Sequence, residues 1–417
     1  MYLFGNTGNG IVHCTIELQK GVDLSISSGT DLNNLKTATK KFKDKADASD
    51  KYYAEIYKKL DEGFIYKNPS PSGVPHELMY LLKEPNKSAT HIFDIHPNGK
   101  QLVMGSKIKG TKGAEIHLAD LETGILSRLF SVDGDGMNIH SLHFTAAGDK
   151  VLFLLETELK ILDLKTKKTT VLARYKASKN GPHPHFAPPM FNLARNRCIY
   201  FAANAVKVCD DQWQTIFELT LTYSGTKKQC KLACISPTGK FLALHHVHPN
   251  IKDTQATGHI DIWEIDKNEL VSSIETGGLD IEKIKFNPQE TEIVLSKYAA
   301  SGPGFFDIKT GKLIRWFKNN YTKGKWGNCW DFAYSPDGRL FANGHYLLDS
   351  KFEKYHLPDF ELNHGNDKPW KVMFSADSKY YIEGGSEGRI LIRQAGPMDA
   401  GTPFDGVQMA DAKGIGD

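Results

Sequence analysis

Phe332-Ala333-Tyr334-Ser335-Pro336-Asp337-Gly338-Arg339-Leu340-Phe341-Ala342 is an apolar run, a turn and a second apolar run. Ser, Pro, Asp and Gly supply the fixed φ, the local acceptors and the left-handed backbone that a tight antiparallel turn needs. Aromatic and aliphatic residues on either side suit strands. The pattern recurs at residues 92–103, 142–153, 232–243, 284–290 and 372–382, with a degenerate copy at 190–201. A second anchor, an apolar residue and then an acid, follows six of the seven copies, and Ile392-Arg393 stands in its place in the last. The six are Ala119-Asp120, Leu162-Asp163, Cys209-Asp210, Trp263-Glu264, Phe306-Asp307 and Leu348-Asp349. After several of these acids comes a Thr-Gly turn, as at Thr123-Gly124 and Thr310-Gly311, leading to a further apolar run. Each repeat therefore reads as four antiparallel strands, with no helical pattern between them.

The spacing of about 40 to 55 residues and the two anchors resemble the WD40 repeat. The Gly-His dipeptide of that family is absent, and the Trp-Asp place is mostly Leu, Phe, Ala or Cys before Asp. The resemblance implies a mainly β fold, a seven-bladed WD40-like β-propeller over residues 77–394. The last copy holds three strands and ends near Gln394, whereas Glu77-Leu78-Met79-Tyr80-Leu81-Leu82 stands alone before the first copy. These two segments are expected to pair and close the ring.

Residues 1–67 read as a small α+β domain. Strands are expected over 11–18, 22–29 and 35–43. Tyr53, Ile56, Tyr57 and Leu60 recur at helical spacing within a helix from Ala48 to Glu62 that Gly63 ends. Three strands followed by Lys58-Lys59-Leu60-Asp61-Glu62-Gly63-Phe64 resemble the WGR domain, although Ser27-Ser28-Gly29-Thr30 replaces the Trp-Gly-Arg signature. WGR domains of poly(ADP-ribose) polymerases bind DNA ends, so the resemblance raises a nucleic-acid sensor as one alternative. Ten lysines against nine acids in this segment supply little net charge for phosphate. Residues 68–76 read as a Pro/Ser-rich linker, so the two parts are expected to separate as folded pieces. The composition of 395–417, rich in Gly, Asp and Ala, suggests a disordered tail.

The chain has 417 residues, 40% hydrophobic and 24% charged, a balance that suits a soluble globular protein. Fifty-two basic against 49 acidic residues leave a net charge of +3, which demands no anionic partner. No apolar stretch is long enough for a membrane helix, and the start lacks a secretory pattern. Six scattered cysteines suggest reduced thiols in the cytoplasm rather than a disulfide framework. Cys230 and Cys234 form a C-x₃-C pair without a second pair at zinc-ribbon spacing.

Two groups of residues are candidate sites. Lys323, Lys325, Trp326 and Trp330 lie in a loop leading into a first strand, and tryptophan flanked by cations suits a hot spot for a protein partner. His183 and His185 precede the third copy, and His246 and His248 close the second strand of the fourth. Both lie on one face of the expected ring and could hold zinc or copper. No nucleophile elbow, phosphate loop or H-E-x-x-H is present, so an interaction scaffold without catalysis or cofactor is expected. A metal-dependent propeller hydrolase using the histidine face is the enzymatic alternative.

Overall fold

The computed structural model describes residues 1–6, 10–84, 92–107, 113–133, 139–156, 158–174, 189–202, 205–221, 229–247, 258–277, 281–297, 303–317, 331–343, 346–356, 371–385, 388–396, 402–403 and 407–409. The described chain is mainly β, with one helix. Six sheets in a propeller-like arrangement each contain four consecutive strands in antiparallel meander order. They span residues 93–132, 141–174, 190–220, 229–277, 281–317 and 332–356, and are called here sheets one to six. The described helix is not long and apolar enough to cross a membrane.

Local chemistry explains both anchors of the repeat. At the first-to-second-strand turns, Ser236, Ser335 and Ser375 each accept the amide of the residue five positions on, at 2.9, 2.9 and 3.0 Å. Asn192 and Asn287 do the same through their side-chain oxygens, each at 2.9 Å. Left-handed backbone completes each turn. Gly99, Gly148, Gly239 and Gly338 supply it in the regular copies, whereas Arg195, Glu290 and Ser378 adopt it in the others. At the third-to-fourth-strand turns the recurring acid is an acceptor. Asp163 takes the Thr166 amide at 2.7 Å and its hydroxyl at 2.9 Å, and Asp307 takes those of Thr310 at 2.7 and 2.8 Å. The Thr310 amide is the chief reason that Asp307 sits below the ordinary carboxylate range. The acid is thus kept by the turn and does not depend on a Trp-Asp dipeptide.

Each sheet is apolar on both faces, because each packs against two neighbours. In sheet four, Ala243, Ile260 and Ile262 meet Ile284, Phe286 and Ile293 of sheet five. Leu242 and Leu244 on the opposite face meet Ile199, Val206 and Val208 of sheet three. This two-sided burial is why the strands read as near-continuous hydrophobic runs.

The remaining strands form one nine-stranded sheet. Lys371–Phe374, Tyr380–Gly384 and Arg389–Gln394 pair in order, and Arg389–Gln394 then pairs with Leu78–Lys83. Ile390 faces Leu82 and Ile392 faces Tyr80, which joins the last repeat to the segment before the first. The sheet continues outward into Ile65–Lys67, Tyr2–Asn6, Ile11–Gln19, Asp23–Gly29 and Lys36–Lys41. Helix α1, Lys45–Asp61, is capped by Asp44, whose carboxylate accepts the Asp47 amide at 2.9 Å. It buries Ile56 and Leu60 against Leu3, Cys14, Ile16, Leu81 and Leu391.

The boundary read from composition at 68–76 therefore falls on a tight bend inside one continuous sheet. Glu77 gathers that bend by accepting from Asn68, Ser72 and Gly73. Lys83, almost wholly buried, pairs with Asp61 at 2.6 Å, and Arg389 donates to the Tyr57 hydroxyl at 3.0 Å. Phe4 also lies against Gly124 of sheet one, where an added Cβ would come within 2.7 Å of its ring. Two short stretches within 395–417 pair with sheet edges. Thr402–Pro403 pairs with Lys354–His356, and Val407–Met409 pairs with Leu313–Phe317. Backbone pairing at a free sheet edge needs little from the side chains, so composition does not reveal it.

A single proteolytic cut between Asn68 and Ser72 should leave the two fragments associated on native gel filtration and separable only in denaturant. Deleting residues 1–67 should lower the melting temperature of the remainder, because Leu81 and Leu391 lose their cover. Fragments that separate without denaturant would show that the shared sheet does not hold them.

Candidate functional site

Lys323, Lys325, Trp326, Trp330, His183, His185 and His248 lie outside the described residues. His246 lies within them, and two other groupings emerge that sequence reasoning missed: a ring of charges where the first strands converge, and a polar cluster around His246.

The first strands of the sheets meet through side chains. Asp94, on Phe93–Ile95 of sheet one, is 1% exposed. Its carboxylate accepts the Phe144 amide of sheet two at 2.8 Å. It also receives a two-pronged bond from Arg195 of the sheet-three turn, at 2.5 and 3.0 Å. Arg195 further donates to the Phe144 carbonyl at 2.6 Å. Asp331, beside Phe332–Tyr334 of sheet six, repeats the device. It accepts the Val372 amide at 3.1 Å and Lys285 Nζ of sheet five at 2.9 Å. Lys285 also donates to the Phe332 carbonyl. Lys371 donates to the Phe93 carbonyl at 2.6 Å and stands 4.9 Å from the centre of that ring. Burial alone would raise both carboxylates, but the charges of Arg195 at Asp94 and of Lys285 at Asp331 outweigh it and hold them low.

Lys283, next to Lys285 along the same face of its strand, adds a fourth cation to the group. Among the described residues, Arg195, Lys283, Lys285 and Lys371 thus face Asp94 and Asp331, four cations to two carboxylates. Burial drives Lys371 down to about 8, with Asp94 and Asp331 opposing that fall. His143, on Ser141–Phe144, is pushed down to about 3 by burial despite the Asp94 charge, and is neutral at physiological pH. A cavity of about 190 Å³ opens at the turn end of this ring, lined by Met190, Cys234, Ile235, Phe286 and Tyr334, with Lys285 as its cation.

The second grouping lies on sheet four. His246 of Phe241–Val247 stands opposite His259 of Gly258–Glu264, and Asp261 follows two residues along the same face. The imidazoles stack at 5.0 Å between centroids with planes 23° apart. The Nε2 atoms of both lie 3.5 Å from Asp261 Oδ2. Ser273 donates to the other oxygen, Oδ1, at 2.7 Å. Cys230 stands opposite His246 on the third neighbouring strand, Gln229–Ile235. Burial raises its thiol to about 12. His245, the next residue, points to the opposite face and is fully buried, as strand alternation requires.

No protein-family model matches the chain, and no curated protein matches its sequence.

Two outcomes follow from the charged ring. Arg195→Gly would relieve about 1 kcal/mol of left-handed backbone strain but leave Asp94 buried without its cation, a loss of roughly 3–5 kcal/mol. Urea unfolding should therefore show net destabilisation; a stabilised variant would show that the ion pair contributes little. His143 gives the pH dependence. Its folded value lies below the unfolded 6.5, so the unfolded chain binds the extra proton first. Its contribution is complete above 6.5 and is lost as pH falls toward about 3. His143→Gln should flatten the upper part of that acid limb.

Proposed function

We propose that the chain is a protein-interaction scaffold built on a seven-bladed propeller of the WD40-like kind. The six meander sheets are six blades, and Lys371–Phe374, Tyr380–Gly384, Arg389–Gln394 and Leu78–Lys83 are the seventh. The backbone pairing of the last repeat with the segment before the first supports this reading. Residues 1–67, WGR-like in their strand and helix order, extend that closing blade. A rigid ring with variable loops suits recognition better than it suits a reaction that needs a moving lid.

The partner is read as a protein segment rich in Asp and Glu. The carrying observation is the surplus of cations over carboxylates where the first strands converge. Lys371 begins its strand and Lys283 stands third of six in its own, in the half nearer the segments that lead into the first strands. Lys323, Lys325, Trp326 and Trp330 stand in the sequence between Phe317 of sheet five and Phe332, the start of the first strand of sheet six. Buried aromatics would supply apolar area and the lysines charge-assisted bonds, the usual composition of a hot spot.

Affinity purification with mass spectrometry, followed by binding of acidic peptides taken from the captured proteins, tests the reading. Trp326→Ala should weaken binding by roughly 2 kcal/mol or more while leaving stability within about 0.5 kcal/mol. Lys283→Glu should weaken it further and reduce its dependence on salt. Peptides that bind equally well to both variants would overturn the assignment of this face. A melting temperature sharply lowered in Trp326→Ala would place that ring in the packing between blades instead.

A further inference from the structure

We propose that His246, His259 and Asp261 form a binding site for a divalent transition-metal ion of the zinc class, with an open coordination position. The three donor atoms lie within 4.8 Å of one another on a single sheet face. Two ligands about 2.1 Å from a tetrahedral zinc stand about 3.4 Å apart. The Nε2 to Oδ2 distances of 3.5 Å at both histidines match that spacing. They also exceed the usual length of a charge-assisted hydrogen bond, about 2.7–2.9 Å. The arrangement is therefore better suited to a shared cation than to mutual bonding.

The surroundings suit an ion as well. The side chains are 12%, 20% and 19% exposed, so the site is sheltered yet reachable by water. Ser273 holds the remaining Asp261 oxygen, fixing the direction in which Oδ2 points, as groups behind metal ligands commonly do. Adjacent strands carry all three ligands, so backbone pairing orients them before any ion arrives. Two imidazoles and one carboxylate select zinc, cobalt, nickel or iron over calcium and magnesium, which prefer oxygen alone. Among the described residues, Cys230, across from His246, and Glu275, across from His259, stand on the two flanking strands as groups that could close the fourth position. The site shares only His246 with the histidine set expected from sequence, and it does not depend on the scaffold reading.

Cobalt titration of the chelator-treated full chain is the test, since a tetrahedral cobalt complex absorbs in the visible. One equivalent should bind with a tetrahedral spectrum and be displaced by one equivalent of zinc. His259→Gln and Asp261→Asn should each weaken binding roughly 100-fold or more, and Ser273→Ala about 10-fold, because losing even a supporting group commonly costs 10–100-fold. His140→Gln, a histidine just before sheet two, should change nothing. Cys230→Ser and Glu275→Gln separate the coordination modes: loss of a thiolate-to-cobalt charge-transfer band in the first, or a changed spectrum in the second, would show a fourth protein ligand and overturn the open position, and spectra unchanged in both would support it. Should a variant fail to fold, zinc should still protect His246 and His259 of the unaltered chain from carbethoxylation, read by peptide mass spectrometry. No cobalt binding by the folded chain would overturn the proposal. So would binding abolished by His183→Ala, His185→Ala and His248→Ala together but untouched by His259→Gln.

Discussion

Two buried carboxylates hold the middle of this molecule together. A ring of sheets has a packing problem at its centre, where the first strands approach and their backbone amides turn toward neighbouring sheets with which they form no ladder. Asp94 takes the Phe144 amide and Arg195; Asp331 takes the Val372 amide and Lys285. Each acid therefore ties three sheets, and each is compensated by a cation and an amide, without which its burial would be prohibitive. Lys371 ties the nine-stranded sheet to sheet one through the Phe93 carbonyl. Removing one member leaves its partners buried and uncompensated, so this polar centre constrains relative sheet position more strictly than the aliphatic layers, which tolerate repacking.

Much of the fold was legible because the repeat rests on local chemistry. A Ser or Asn acceptor and a left-handed residue define one turn, an Asp or Thr acceptor the next, and both are visible as residue types at fixed offsets. The degenerate copies at Arg195, Glu290 and Ser378 kept the backbone conformation without glycine, which blurs the motif but not the turn. Tyr2–Asn6 was not read as a strand. Its pairing with Ile11–Gln19 and Ile65–Lys67, and the seating of Phe4 on Gly124, are tertiary facts with no local mark. The tail strands Thr402–Pro403 and Val407–Met409 are of the same kind.

The sites were less legible, for a physical reason. A charged residue inside an alternating strand reads as a solvent-facing position, and Asp94, Lys285 and Lys371 look no different from surface charges until the first strands are brought together. His246 drew notice as part of a histidine run, but His259 and Asp261 lie on the next strand beyond a loop. Only the register that sets His246 opposite His259 makes them neighbours, and a slip of one residue would send that set to the other face.

The same register logic governs the rim. Outer strands of a propeller present unpaired edges, and this chain covers them unevenly. The edge of the nine-stranded sheet is carried outward through Ile65–Lys67 to the N-terminal strands, and sheets five and six gain one short tail strand each. Sheets one to four end on their fourth strands. The fourth strands of sheets one to three carry charge pairs instead: exposed Arg128 bonds the buried Glu115, Arg174 bonds Glu158, and Lys207 bonds Glu218. Such pairs contribute little to stability, but they make edge-to-edge pairing costly, which is the more pressing demand on a closed ring of sheets. Ile125, Val171, Ile216 and Leu270 stay exposed along these outer segments, one to each sheet. Spread singly among charged neighbours they need no cover. The chain's own termini thus protect one part of the rim by pairing, and charge pairs protect the outer strands of sheets one to three.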